Sequence, residues 1–194
     1  MPMARASVSI GVFLPLTNGL FRMKKYHPAS VFLHWFIFLL FVVALAAIEL
    51  HGEVPKGTPL RATLKTVHMM AGQLVFLFVL LRLAARWRFG VPAELDAPQW
   101  QTRVAGIMHL LLYLVMFALP LTGIFFTQAE GKEVMFFSLA LPHLINPNPE
   151  LSDTLKDIHE LTGNAVYYLV GLHAAGALWH HFVRRDHIFQ RMKF

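Results

Sequence analysis

Residues 158–183 read IHELTGNAVYYLVGLHAAGALWHHFV. The run is apolar over most of its length and lacks the period-two alternation of a strand, so it reads as a helix. Two histidines, His159 and His173, lie 14 residues apart within it. Fourteen residues is close to four turns, so both rings leave the helix on one face, about 21 Å apart along its axis. A protonatable ring in so apolar a stretch is costly and usually functional.

Working outward, residues 30–50, 67–83 and 104–126 form three more apolar blocks. Each is long enough to cross roughly 30 Å of hydrocarbon, and only helices satisfy their own backbone there. Pro120 marks a kink or local break in the third block. The fold class expected is all-α, an integral membrane four-helix bundle. Composition agrees: of 194 residues, 56% are hydrophobic and 14% charged, against about 25% charged in a typical soluble domain. Net charge is +6, but Lys and Arg gather at block ends, as topology signals do, so no nucleic-acid partner is expected.

With the N-terminus inside, twelve Lys and Arg fall on the inner side and five on the outer side, which together make the full 17. Both termini are therefore expected in the cytoplasm. The inner loop at 87–101 is short and contains Pro. The outer loop at 127–156 is longer, and its LPHLINPNPE stretch predicts an ordered cap or coil.

Topology then sets histidine depth. His34 opens the first block near the inner face, and His68 opens the second near the outer face. His159 starts the fourth block at the outer face, and His173 lies deeper. His68 can meet His159 at the outer level, and His34 can meet His173 at the inner level. Two such imidazole pairs suit two non-covalent b-type haems. With no cysteine in the chain, thiolate zinc sites, iron–sulfur clusters and covalent haem attachment are excluded. Gly72 and Gly163 each lie four residues after a histidine, and Gly171 and Gly176 flank His173. All four leave room for a flat macrocycle.

Haem propionates call for cations. Arg61, Lys65 and Lys156 are candidates outside, with Lys24, Lys25 and Arg82 inside. His109, in the third block near the inner face, could replace His34 or bond a propionate or a quinone. A quinone site would draw on Arg82, His109 or Gln73. His180 and His181, with His27, His51, His143 and His187, read as interfacial or loop residues, and Met69 and Met70 as packing. A haem-free scaffold or a metal transporter is the rival of another class. A transporter would place carboxylates beside the membrane histidines, whereas eight of the 11 acidic residues fall in or beside the outer segments.

Residues 1–22 read as an N-terminal extension. Their apolar part is broken by Pro15 and Asn18, is too short to span, and shows no small-residue cleavage site. Met23 is the expected natural start, leaving 23–194 as the membrane domain.

Taken together, FLHWFIFLLFV (32–42), AAIELHGEVPKG (46–57), TVHMMAGQLVFLFVLLRL (66–83), MHLLLYLVMFALPLTG (108–123), LKDIHELTGNAVYYLVGLHAAGALWHHF (155–182) and DHIFQRM (186–192) resemble the bacterial cytochrome b561 family. The resemblance runs over about residues 26–192. It implies a four-helix, di-haem cytochrome of the bacterial inner membrane, with haem ligands at His34, His68, His159 and His173, in agreement with the depth argument. It also implies quinone chemistry, and for at least one member superoxide oxidation at the outer face with the electron passed to ubiquinone. Arg61, Lys65 and Lys156 would then help attract the anion. The runner-up expectation is an electron-transfer subunit docking a periplasmic dehydrogenase or hydrogenase. Membrane lipid is an expected partner in either case, and a homo-oligomer is compatible with both.

Overall fold

The computed structural model describes residues 25–92, 97–186 and 188–193. The extension at 1–22 and part of the inner loop lie outside them. Four long helices dominate: α1 (Pro28–Glu53), α2 (Pro59–Phe89), α3 (Gln99–Ala129) and α4 (Pro149–Trp179). Three of them begin at a capping residue followed by proline. The side chains of His27, Thr58 and Asn148 each accept a bond from a backbone N–H of the first turn, and the proline that follows lacks the N–H a helix start leaves unpaired. Gly90, at φ +72°, closes α2.

These caps make α2 and α4 start eight or nine residues before their apolar blocks. α1, α2 and α3 are long and apolar enough to cross a membrane. The expectation of four such spans is corrected at α4. Its first dozen residues carry Glu150, Asp153, Lys156, Asp157 and Glu160, so its uncharged part is confined to residues 161–179. His159 likewise lies ten residues inside α4 rather than at its start. Pro120 sits inside α3, which continues as one helix to Ala129.

The largest interfaces are α1 on α2 and α3 on α4, with a smaller one between α2 and α3. α4 barely touches α1 or α2. A gap therefore runs along the bundle between the α1–α2 pair and α4. The core of Ile37, Leu40, Val75, Val79 and Met116 lies where α1, α2 and α3 meet. Large apolar side chains elsewhere face outward, among them Phe38, Leu39, Leu110, Leu114 and Leu172. That is the pattern of a surface solvated by lipid.

The bundle has a loop end and a terminal end. At the terminal end α4 widens into a π turn (His180–Arg184), and Arg185 takes the left-handed conformation. The tail then folds back on α1, where Trp35 Nε1 donates to the Met192 carbonyl (2.9 Å). At the loop end the connection from α3 to α4 carries a two-stranded antiparallel hairpin, β1 (Met135–Phe136) and β2 (Leu139–Ala140). Gln128 is fully buried beneath this connection. Its Nε2 donates to the Pro142 carbonyl (2.8 Å), and its Oε1 accepts from the Leu144 amide (2.9 Å). Gln128→Leu strands both groups. The expected cost is about 2–4 kcal/mol, read as a lower unfolding temperature and faster proteolysis within residues 130–148.

Candidate haem-binding site

Four histidines meet in two pairs across the gap. At the loop end, His68 of α2 faces His159 of α4, with ring centres 6.1 Å apart. At the terminal end, His34 of α1 faces His173 of α4, also at 6.1 Å. An iron held between two imidazoles needs about 2 Å of metal–nitrogen bond on each side plus about 1 Å to each ring centre, or about 6 Å in all. Both pairs match that span.

The loop-end pair is oriented as ligands are. His68 Nδ1 lies 2.8 Å from the Ala44 carbonyl of α1. His159 Nδ1 lies 3.0 Å from the Leu119 carbonyl of α3 and 3.1 Å from Thr122 Oγ1. A carbonyl only accepts, so each Nδ1 carries the proton and each Nε2 keeps its lone pair free to bind a metal. Thr122 Oγ1 itself donates to the Ala118 carbonyl (2.7 Å).

Around these two rings lies a cavity of about 640 Å³, within the range of small-molecule and cofactor sites. Gly72 and Gly163 line it. A methyl group at Gly72 would meet no protein atom within 4 Å, whereas one at Gly123 would come within 3.2 Å of His159 Cε1. Gly72 thus opens the slot, and Gly123 makes room for the ligand ring itself. Among the described residues no group of three or more His, Cys, Asp or Glu could hold a bare metal ion. An ion held by two imidazoles takes its remaining donors from a macrocycle. The donor set and the slot both fit haem.

Arg61, Lys65 and Lys156 all line the loop-end cavity. Arg61 is partly committed, because its Nη1 donates to the His51 carbonyl (2.7 Å) and the Val54 carbonyl (2.5 Å), tying off the end of α1. His51 returns a bond from Nδ1 to the Arg61 carbonyl (2.9 Å). Glu49, Glu130 and Glu160 line the same cavity. Glu49 accepts from Tyr167 Oη (2.7 Å), and Glu160 lies 3.9 Å from Lys156. The cations are therefore clustered, but in company with three acids.

The terminal-end site holds three imidazoles rather than two. His109 of α3 lies 5.6 Å from His173, ring centre to ring centre. Arg82 Nη1 donates to the Ser30 carbonyl (2.7 Å), one turn before His34. Gln73 lines the loop-end cavity instead and gives its Nε2 to the Met135 carbonyl (3.1 Å), while its Oε1 is buried with no partner among the described residues. His180 pairs with Asp186 at the end of α4. Burial pushes the Asp186 carboxyl up. Hydrogen bonds from His180 and the Ile188 amide, with the charges of His180 and Arg184, outweigh it and hold the carboxyl below its usual range.

Comparison with known proteins bears on the family rather than on the geometry of the site. The sequence profile of prokaryotic cytochrome b561 matches residues 25–194. Cytochrome b561 homolog 1 of Escherichia coli (strain K12) is 33% identical over 171 residues, covering 88% of this chain and 97% of that protein. A probable superoxide oxidase CybB of Yersinia pestis is 33% identical over 170 residues, covering 87% and 96%. Cytochrome b562 of Cereibacter sphaeroides is 29% identical over 126 residues, 65% of each chain.

Proposed function

The chain belongs to the prokaryotic cytochrome b561 family, b-type cytochromes of the membrane that transfer electrons, and on that footing we propose that it holds two haems and carries electrons from a donor at its loop end to a quinone. The observation that bears most weight is the pair of Nδ1 anchors on His68 and His159, which leave both Nε2 atoms free to bind a metal on rings whose centres lie 6.1 Å apart across the gap. His34 and His173 repeat that spacing at the terminal end. Arg61, Lys65 and Lys156 would neutralise propionates at the loop end, and Arg82, with His109, would do so at the other.

Each bound haem supplies a one-electron couple. The protein's part is to hold the two sites in register on α4, about 21 Å apart by helix rise, and to keep the space between them dry. The core of Ile37, Leu40, Val75, Val79 and Met116 packs α1, α2 and α3 together beside that space. The loop end is assigned to the outer, periplasmic face by the excess of Lys and Arg at the other end.

Superoxide is the donor that the clustered cations suit. Two superoxide anions, one quinone and two protons give two oxygen molecules and one quinol. The test is pulsed superoxide on the purified, haem-loaded protein with a soluble ubiquinone. Quinol formed at one per two superoxide consumed supports the reading, and superoxide loss no faster than in buffer overturns it. Lys65→Glu with Lys156→Glu is expected to slow the reaction about tenfold at low salt, with the difference shrinking as ionic strength rises.

A further inference from the structure

The β1–β2 hairpin is out of place as a water-exposed cap. The nine residues at 134–142 (VMFFSLALP) carry no charge. Phe137 is 59% exposed, Leu139 66% and Leu144 68%. Phe137 occupies the turn at φ 54°, a position where glycine or asparagine is favoured and a bulky ring is not. Backbone preference does not explain the ring, so its environment must.

Depth identifies that environment. The Met135 carbonyl accepts from Gln73 Nε2. Gln73 lies 14 residues into α2, beyond His68 and six residues inside the apolar block at 67–83. By helix rise that is about 9 Å past the block's edge. Even allowing for the side chain's lean toward the helix N-terminus, the hairpin hangs beside the apolar zone rather than above it. Non-helical backbone at such depth survives only where its polar groups find partners in the protein. Several of them find such partners here. Gln73 serves Met135, Gln128 serves Pro142 and Leu144, and the Leu141 amide donates to Val134 (2.9 Å). The burial of Gln128 is thereby explained, and that of Gln73 through its Nε2.

We propose that the hairpin at 135–140 is seated in bilayer lipid. Phe137 and Leu139 enter the acyl boundary, continuous with the outward apolar surfaces of α2 and α3. Its inner edge, Val134, is buried and lines the cavity around His68 and His159. The segment is thus a wall with lipid on one side and the cofactor cavity on the other. It bars lipid from that cavity and leaves the polar mouth at Arg61, Lys65 and Lys156 as the way in. The inference rests on the membrane reading of the family and not on superoxide as donor.

The natural chain lacks cysteine, so Phe137→Cys or Leu139→Cys takes a single nitroxide label. The labelled, haem-loaded protein is placed in lipid nanodiscs and probed with dissolved oxygen and a water-soluble nickel complex. Labels at 137 and 139 are expected to lose accessibility to nickel and keep it to oxygen, while a label at Lys56→Cys, on the exposed α1–α2 turn, does the reverse. Nickel access at 137 and 139 equal to that at 56 overturns the proposal. Exclusion of both probes also overturns it, because protein then covers the hairpin. Dipolar coupling between labels would name that protein as a second copy. An unchanged haem spectrum shows that the labelled variants are folded.

Discussion

Replacing His68 or His159 by alanine is expected to halve the haem content, from two per chain to one, and both replacements should remove the same haem. Each ring is fixed from behind by a carbonyl on a third helix, Ala44 on α1 for His68 and Leu119 on α3 for His159. Of the other described histidines, His34, His109 and His173 cluster at the terminal end, and His51, which lines the cavity, holds its Nδ1 against the Arg61 carbonyl (2.9 Å). Loss of one ring leaves its partner facing a cavity of about 640 Å³. Haem extraction with a redox titration reads the result. One titrating centre should survive, with its potential little changed, because the two sites are separated by about 21 Å of helix. Two surviving centres would show that the loop-end pair holds no iron. Gly123→Ala gives a milder version of the same test, since its methyl group presses on His159 Cε1 at 3.2 Å. Haem should be retained and its potential displaced.

Much of this site could be read before any coordinates. The helical period is a property of spacing alone, so the 14 residues between His159 and His173 placed both rings on one face, and chain direction set their depths. The structure brings the rings together in those pairs. The anchors on Ala44 and Leu119 could not be read, because every residue carries a carbonyl and only packing selects one. Gly123 was missed for a similar reason. It sits on the one long helix with no histidine at the loop-end level, and its purpose appears only when α3 lies against α4. The early starts of α2 and α4 were legible in principle. Thr58–Pro59 and Asn148–Pro149 are helix-start signals, but they fall outside the apolar blocks on which a membrane reading concentrates. The buried glutamines were hidden too. Gln128 looks like an ordinary polar residue, and Gln73 reads only as a quinone candidate, until the 130–148 connection is seen folding beside them.

The terminal end poses the sharper question, because His34 and His109 both approach His173. His34→Ala and His173→Ala are each expected to remove the terminal-end haem, whereas His109→Ala keeps two haems per chain. Ring spacing is one reason: His34–His173 repeats the 6.1 Å of the loop-end pair, and His109–His173 is closer at 5.6 Å. The helix interfaces supply the stronger one. α3 and α4 share one of the two largest helix interfaces, while α1 and α4 barely touch, so the wider opening lies between His34 and His173. His109 is then a positioning residue beside the haem edge, able to bond a propionate or the ring of His173. Deleting one such hydrogen bond, worth about 1 kcal/mol, corresponds to a shift of about 40 mV in a one-electron potential. His109→Gln, which keeps a donor, should recover part of it. A merely structural role would lower stability without moving the potential. If His34→Ala instead left both haems in place and His109→Ala removed one, the iron would lie between α3 and α4, and the gap beside α1 would belong to something else.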